Sequence, residues 1–203
     1  MNKLNSRDDL TALREVCRKT FDAEKKKILV CGGTGCVAGG SLNIFDRLRS
    51  LLEAKGISAD VELADEPYEG SVGMKKSGCH GFCEMGPLLR IEPMGWLYIK
   101  VSLDDCEEII EKSIIGDEVI DRLVYKDQEG NPYVKQEDIP FYKQQTRIAL
   151  EYCGHINAES IAEYLALGGY SAVAKALFDM TPQGIVDEIT ESCLRGRGGG
   201  GFP

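Results

Sequence analysis

The chain has 203 residues, 43% of them hydrophobic, and a formal net charge of −9, which provides enough apolar material for a packed core and argues against a disordered chain. Lysine and arginine form no basic patch of the kind that binds nucleic acid, and no apolar run reaches the roughly 20 residues that a membrane helix needs. Because the N-terminus also lacks the apolar stretch of a secretion signal, we expect a cytoplasmic protein that contacts neither nucleic acid nor membrane.

The first part of the chain alternates predicted helices and strands. A helix over 6–21 is followed by a short buried strand at 28–30 and by a second helix over 41–55, for which Ser41 is the expected N-cap. Alternating polar and apolar residues predict a further strand at 59–64.

Two more strands and a helix complete this part. Strands at 88–92 and 96–101 are joined by a Pro-Met-Gly turn, and a helix over 104–115 turns an apolar face inward. The predicted fold class is therefore α/β, with a small domain over 25–125 that follows an N-terminal helix within 1–24.

The second part of the chain is predicted to be helical. A polar, turn-rich stretch over 126–140 is interpreted as a linker, and the pattern over 141–203 is that of an α-helical segment. One helix is expected over 141–152, a second after Asn157, and two more before the glycine-rich end; the last of these begins at Thr181.

Eight cysteines are a high number for an intracellular chain of this size. Because disulfides are rare in that compartment, close cysteine pairs indicate metal or redox chemistry. Two close pairs stand out, Cys31 with Cys36 and Cys79 with Cys83, each in a glycine-bearing loop beside a predicted strand. Four thiolates from two loops can converge on one centre, which is what a 2Fe–2S cluster requires. The glycines let such loops wrap a cluster and bring backbone N–H groups near its sulfides.

Other interpretations of these four cysteines stay open. A structural zinc site also takes four cysteines, although zinc sites more often use C-x2-C pairs and both pairs here are wider. Two disulfides are a third interpretation, while the C-x-x-C dithiol of thioredoxin-type redox proteins is missing from the sequence.

The other cysteines and the loop histidine are expected to be structural. Cys17, Cys106 and Cys193 fall on apolar faces of predicted helices, where a free cysteine behaves as a small hydrophobe. Cys153 lies at a predicted helix end, where a ligand role is the minor alternative. His80, between two of the paired cysteines, is expected to face solvent rather than to bind or tune a cluster.

The segments 28–36 and 79–83 resemble the thioredoxin-like 2Fe–2S ferredoxins. The pattern of that family is C-x4-C, a helix, a strand and then C-x3-C, and the match covers roughly residues 27–116. The resemblance implies a thioredoxin-like ferredoxin domain. It also implies the four ligands of a 2Fe–2S cluster: Cys31, Cys36, Cys79 and Cys83.

The second half is similar to the opening of the NADH-binding flavoprotein subunit of complex I, a family that also serves NAD-linked hydrogenases and formate dehydrogenases. The similarity is carried by Tyr142-Lys-Gln-Gln-Thr-Arg, Glu163-Tyr-Leu-Ala-Leu-Gly-Gly-Tyr170, Met180-Thr-Pro and Leu194-Arg-Gly-Arg-Gly-Gly-Gly-Gly-Phe-Pro203. A ferredoxin domain joined to this opening resembles the beta subunit of the NAD-dependent, electron-bifurcating iron-only hydrogenases of anaerobes.

In that flavoprotein family a glycine-rich loop wraps FMN. A run of small residues lets the backbone lie against a flavin, and N–H groups and arginines favour the anionic cofactor. Gly200 stands where the family usually has alanine, and Cys193 where glycine is common. The alternative is a flexible glycine tail. The positions that correspond to the FMN loop are Arg195, Gly196, Arg197, Gly198, Gly199, Gly200, Gly201 and Phe202.

The resemblance implies an electron-transfer subunit of an NAD(H)-linked multi-subunit oxidoreductase that relays single electrons through a 2Fe–2S cluster. The family continues for several hundred residues past the loop, where the nucleotide site, the rest of the FMN site and the 4Fe–4S cysteines lie, so this chain alone is not expected to oxidise NADH. Expected partners are a hydrogenase or dehydrogenase catalytic subunit, a small 2Fe–2S subunit and, as a further candidate, ferredoxin. The alternatives are a free-standing ferredoxin shuttle and a zinc-stabilised, non-enzymatic interaction module.

Overall fold

The computed structural model describes residues 4–60 and 71–202. Its centre is a mixed sheet with the strands β1 (Lys26–Cys31), β2 (Ala59–Asp60), β3 (Val72–Ser77), β4 (Leu89–Glu92) and β5 (Trp96–Tyr98). The order of the strands across this sheet is β2-β3-β1-β4-β5.

Strand β1 lies in the middle of the sheet, parallel to β3 on one side and antiparallel to β4 on the other. The register between β1 and β3 places Cys31 opposite Ser77, so that both strands end at the same edge. Because β1 is buried along nearly its whole length, its sequence is a continuous apolar run after the first two lysines, as expected of a central strand.

The first part of the chain includes the helices α1 (Arg7–Ala23), α2 (Thr34–Ala38) and α3 (Ser41–Ala54). Helix α3 packs on the sheet, where Phe45, Leu48 and Leu52 join the main core. The predicted N-cap is wrong by one residue. Gly40 is the cap, with a left-handed φ of 90° that glycine adopts without strain, and Ser41 is buried in the first turn.

Residues 103–115 form one continuous helical segment, in which three types of helix follow one another. It consists of a 3-10 turn (Leu103–Asp105), the short helix α4 (Cys106–Glu108) and a π-helical part (Ile109–Ile115). Its buried side chains join the main core. The predicted helix over 104–115 and the α/β fold class are therefore confirmed. The residues predicted to face inward are buried: Cys106, Ile109, Ile110 and Ile114.

Helix α1 packs against a helix from the second part of the chain. Two short helices there are α5 (Pro140–Lys143) and α6 (Ile161–Ala166). Cys17 of α1 shares an apolar cluster with Leu165 and Ala166 of α6. The start of the chain is thereby attached to its helical second half.

A buried group of charged side chains joins α1, the sheet and α6. The Nζ atom of Lys75, on β3, lies 2.7 Å from Glu24 Oε1 and 3.3 Å from Glu163 Oε1. The Nζ atom of Lys27, on β1, lies 3.2 Å from Glu24 Oε2. Buried charges are tolerated when they are paired in this way, so these ion pairs hold the three elements in register.

The stretch over 126–140 lies on the sheet. Strands β6 (Tyr125–Lys126) and β7 (Pro132–Tyr133) form a small hairpin, and Lys135 makes an isolated bridge to Trp96 of β5. Ile139 is buried. The domain boundaries at 1–24, 25–125, 126–140 and 141–203 stay predictions.

The predicted helix over 141–152 is wrong after its first turn. Helix α5 ends at Lys143, and turns follow. The guanidinium of Arg147 donates to the carbonyl oxygens of His80 and Cys153, and these tertiary contacts outweigh the helical pattern. The predicted strand at 59–64 starts at Ala59 as expected, but 61–64 lies outside the described residues.

The last two predicted helices are confirmed as α7 (Ser171–Asp179) and α8 (Pro182–Glu191). Thr181 caps α8, because its Oγ1 accepts a hydrogen bond of 3.1 Å from Gly184 N. Both helices leave large apolar side chains exposed. Among the helices in the part of the chain that the structure describes, none has the length and apolar character needed to cross a membrane.

Candidate metal centre

The four paired cysteines lie on two loops at one edge of the sheet. Cys31 ends β1 and Cys36 lies in α2, while Cys79 follows β3 and Cys83 begins a 3-10 turn. Because β1 and β3 are adjacent and parallel, their carboxyl ends bring the two loops side by side. The fold thus explains why pairs almost 50 residues apart in sequence meet.

The sulfur atoms form two neighbouring pairs. The Sγ atoms of Cys79 and Cys83 are 3.9 Å apart, and the thiol of Cys31 contacts those of Cys36 and Cys79. The structure therefore brings together all four cysteines that the sequence singled out. Within residues 4–60 and 71–202, no group of three or more His, Cys, Asp or Glu side chains is arranged to hold a metal ion as the side chains stand.

Glycines allow this close approach. A Cβ atom at position 33 would lie 3.0 Å from the Sγ of Cys79, and one at position 86 would lie 2.8 Å from the Sγ of Cys36. Any larger residue at either place would displace a sulfur atom. Gly33 and Gly86 are thus both needed for the two loops to interleave.

Backbone N–H groups point at the sulfur atoms. Cys31 accepts from the N–H groups of Gly33 and His80, and the Sγ of Cys79 accepts from Gly81 N at 3.3 Å. Such donors favour the thiolate and stabilise added negative charge.

The thiols perturb one another's ionisation. The neighbouring Cys36 thiol lowers the pKa of Cys31 to about 6 by donating to its thiolate. The same contact raises the pKa of Cys36 far above its usual range, and burial raises the pKa of Cys79. A cation among the sulfurs would lower the pKa values of Cys36 and Cys79 again, because metals bind thiols as thiolates.

The two cysteine pairs differ in exposure. Cys31 and Cys36 are buried, whereas Cys79 and Cys83 are exposed. An incoming partner can therefore approach the site from the side of the second pair.

His80 is buried completely, and the expectation that it faces solvent is wrong. Its Nε2 lies 2.9 Å from Ser77 Oγ and its Nδ1 lies 3.0 Å from Gln136 Oε1. Burial lowers the pKa of His80 to about 4, so the ring is neutral near pH 7. Because Gln136 is 56 residues away in sequence, no local pattern indicates this contact.

An aromatic group covers the second cysteine loop. The ring of Phe82 stacks on Phe141 at 5.1 Å and meets the edges of Tyr125 and Tyr142 at 5.3 and 5.8 Å. The guanidinium of Arg147 lies 5.2 Å from the centre of the Tyr142 ring. Residues after position 124 therefore form part of the surroundings of the site.

The remaining cysteines are only partly as predicted. Cys17 and Cys106 are buried, as expected of structural thiols. Cys193 is exposed and lies beyond the end of α8 with a φ of 53°, so its predicted place on an apolar helical face is wrong. Cys153 is half-buried beside Gly78, where a Cβ atom would lie 3.3 Å from its Sγ.

The predicted FMN loop over 195–202 is exposed along almost its whole length. Gly196 N donates to Phe202 O at 2.7 Å and closes the loop. Gly199 and Gly201 have φ values of 107° and 61°, which favour glycine. The loop is therefore shaped by its own backbone rather than by packing against the core.

Comparison with known proteins finds no matching family model. Over 99 residues the chain is 33% identical to a 2Fe–2S ferredoxin of Clostridium pasteurianum, and this match covers 49% of the chain and 94% of that ferredoxin. A solved thioredoxin-like [2Fe-2S] ferredoxin from Aquifex aeolicus, 26% identical, is covered completely by 52% of the chain, with a TM-score of 0.40.

Shorter stretches match larger proteins. Over 61 residues the chain is 56% identical to the NADP-reducing hydrogenase subunit HndC of Solidesulfovibrio fructosivorans. These residues are 30% of the chain and 12% of HndC. Over 44 residues it is 59% identical to a subunit of the NADH-quinone oxidoreductase of Aquifex aeolicus. These residues are 22% of the chain and 10% of that relative. The chain thus spans only a small part of these two relatives.

These relatives confirm both resemblances predicted from the sequence, to ferredoxins and to subunits of NAD(P)-linked hydrogenases and complex I-type dehydrogenases. The match to the Clostridium pasteurianum ferredoxin covers nearly all of that relative, and on that ground the chain belongs to the 2Fe–2S ferredoxin family.

Proposed function

We propose that the chain binds a 2Fe–2S cluster and relays single electrons as a subunit of an NAD(P)-linked multi-subunit oxidoreductase. The observation that carries this proposal is the interleaving of two glycine-bearing loops that sets four thiols side by side. Membership of the 2Fe–2S ferredoxin family supports it independently. The proposed ligands are Cys31, Cys36, Cys79 and Cys83.

The spacing of the Cys79 and Cys83 sulfurs fits two ligands of one metal ion. Two thiolates on one tetrahedral metal ion, with bonds of about 2.3 Å, lie about 3.8 Å apart, and the sulfurs of Cys79 and Cys83 are 3.9 Å apart. Cys31 and Cys36 form the second contacting pair. The four thiols would hold the cluster together, Cys31 and Cys36 from the buried side and Cys79 and Cys83 from the exposed side.

The residues around the thiols set the electrostatics of the site. The N–H groups of Gly33, His80 and Gly81 stabilise negative charge on the sulfurs, and burial of Cys31 and Cys36 excludes water from the inner side. When bound, a 2Fe–2S cluster supplies the centre that takes up and gives up one electron. The exposed pair, Cys79 and Cys83, gives a redox partner its shortest approach.

The wider assignment rests on the larger relatives. HndC is a subunit of an NADP-reducing hydrogenase, and the Aquifex aeolicus relative belongs to an NADH-quinone oxidoreductase. We infer that this chain works in the cytoplasm with a hydrogenase or dehydrogenase catalytic subunit and a small 2Fe–2S subunit, with ferredoxin as a further candidate. An electron-bifurcating role in an anaerobe is the finer form of this proposal.

We also propose that the loop over 195–202 forms part of an FMN site. Its support is chemical: Arg195 and Arg197 are exposed cations beside a closed, glycine-rich backbone, which suits an anionic cofactor. We propose that residues outside 195–202 supply the rest of the FMN site and that an NAD(H) site and 4Fe–4S ligands accompany it in the complex.

Cysteine variants test the ligand assignment. Cys36→Ser and Cys79→Ser, each made in the full chain and prepared without oxygen, are expected to lose or strongly alter the visible absorption of the cluster, because each removes one iron ligand. Cys17→Ser is the matched control, since its buried thiol lies in the apolar cluster between α1 and α6. Equal spectra for all three variants would contradict the assignment, and a colourless parent that holds one zinc would favour the interaction module.

A second experiment distinguishes the proposed subunit of a complex from a free-standing ferredoxin shuttle. A shuttle needs only the face that carries Cys79 and Cys83, so polar substitutions of the exposed Leu177 and Leu194 would leave binding to the catalytic subunit unchanged. If the chain is instead a resident member of a complex, the same substitutions are expected to abolish its co-purification with the catalytic subunit.

A further inference from the structure

We propose that His80 is a positioning residue whose side chain, held between Ser77 and Gln136, directs its own peptide N–H at the Cys31 sulfur and so raises the reduction potential of the site. The inference deepens the proposed function and rests on it, because it presupposes that the four thiols hold a cluster. It concerns the surroundings of the cluster and leaves the ligand set unchanged.

The ring of His80 is fixed at both nitrogen atoms. The side chain is 0% exposed, and a buried imidazole needs a partner for each nitrogen. The Nδ1 atom lies 3.0 Å from Gln136 Oε1 and the Nε2 atom lies 2.9 Å from Ser77 Oγ, so each ring nitrogen has a hydrogen-bond partner. With both ends held, the ring cannot rotate without leaving a buried polar atom unpaired.

Ser77 connects the ring to the strand that carries Cys31. Ser77 is opposite Cys31 in the register of the two strands, and its carbonyl oxygen accepts from Gly32 N at 2.9 Å. Its hydroxyl also lies 3.2 Å from the carbonyl oxygen of Val30. The hydrogen bond between the His80 ring and the Ser77 hydroxyl thus connects the second cysteine loop to the end of β1.

The later part of the chain closes the other sides of the residue. Gly154, with a φ of 90°, lies so close that a Cβ atom there would be 2.9 Å from His80 Nδ1. The guanidinium of Arg147 donates to the carbonyl oxygen of His80. Ring and carbonyl are both held, which fixes two substituents of the His80 Cα and so restricts the rotation that would turn the peptide N–H away from Cys31.

The expected effect has a definite sign. A peptide N–H that donates to a ligand sulfur stabilises the reduced, more negative cluster and raises its potential. When the ring loses its partners, the peptide is free to turn and this donor weakens. The potential should then fall, even though every cysteine ligand is still present.

The test is a redox titration of the cluster-loaded full chain. His80→Leu removes both hydrogen bonds while it keeps an apolar body of similar size, and His80→Gln retains one donor and one acceptor. The control is His155→Leu, because His155 is the second of the two histidines and its side chain is 41% exposed. Iron content, midpoint potential and electron paramagnetic resonance g values are measured for each variant.

We expect His80→Leu to have a more negative midpoint potential and altered g values, His80→Gln to recover part of the shift, and His155→Leu to match the parent. A loaded His80→Leu protein with the parent's potential would overturn the proposal. So would a His80→Gln protein shifted as far as His80→Leu, because ring packing rather than hydrogen bonding would then be responsible.

A second variant covers the case in which His80→Leu fails to fold or to take up iron. Gln136→Leu leaves the cysteine loop itself unchanged and removes one partner of the ring, and it should shift the potential in the same direction. An unchanged potential in that variant would also overturn the proposal. A parent chain that holds no iron would instead contradict the proposed function, so the two failures are distinguishable.

Discussion

The ferredoxin core and the two C-terminal helices use apolar residues in opposite ways. In the core, Leu48 and Leu52 of α3 are 0% exposed and pack on the sheet. On α7, Leu177 is 73% exposed although the helix has formed as its sequence predicts. A helical pattern in the sequence therefore predicts that a helix forms and which of its faces is apolar. It does not predict which other element or molecule buries that face.

The buried ion pairs that join α1, the sheet and α6 should give the largest effect. Lys75→Met removes the charge that neutralises Glu24 and Glu163, whose side chains are almost inaccessible. Breaking a buried pair from one side costs about 3–5 kcal/mol, so the urea midpoint should fall sharply. Lys175→Met is the matched control, because the exposed Lys175–Glu188 pair should contribute about 0–1 kcal/mol. Similar losses in both variants would mean that the buried network is not what holds α1, the sheet and α6 together.

Two leucine truncations, one in α3 and one in α7, compare the contributions of these two helices to stability directly. Leu52→Ala should lower the free energy of unfolding by about 2–5 kcal/mol, because it removes buried methyl groups and leaves a cavity. Leu177→Ala should change it by about 0.5 kcal/mol or less, as for an ordinary surface residue. Chemical denaturation followed by circular dichroism measures both, and an equal loss would show that α7 is buried in solution.

The cap of α8 should give the smallest effect. Thr181→Ala removes the side-chain acceptor for Gly184 N, which costs about 1 kcal/mol of helix stability. Because α8 has no buried residues, we expect a loss of helical circular dichroism at low temperature with little change in the midpoint of global unfolding. Thr181→Ser, which retains the hydroxyl, should behave like the parent. A drop in the global midpoint would place α8 in the cooperative core.

The parts that could be predicted from the sequence are those fixed by local chemistry. Thr181 caps its helix through its own neighbour Gly184, and the spacing within each of the two cysteine pairs singled out the thiols that meet. The strand Ile28–Val30 was identified because a continuous apolar run is needed in the middle of a sheet.

The parts that were missed depend on distant contacts. The burial of His80 follows from Gln136 and Gly154, which lie far along the chain and carry no local signal. The helix predicted over 141–152 stops early because Phe141 stacks on Phe82 and Arg147 bonds to the second cysteine loop. In both cases tertiary contacts at the site override a local preference.

The most direct measurement of the central claim is the iron and acid-labile sulfide content of the full chain, prepared without oxygen and read together with its electron paramagnetic resonance spectrum. We expect two irons and two sulfides per chain, and the signal of a single unpaired electron after one-electron reduction. A chain that holds one zinc ion and neither iron nor sulfide, even after reconstitution with both, would contradict the assignment of a 2Fe–2S cluster to the four cysteines.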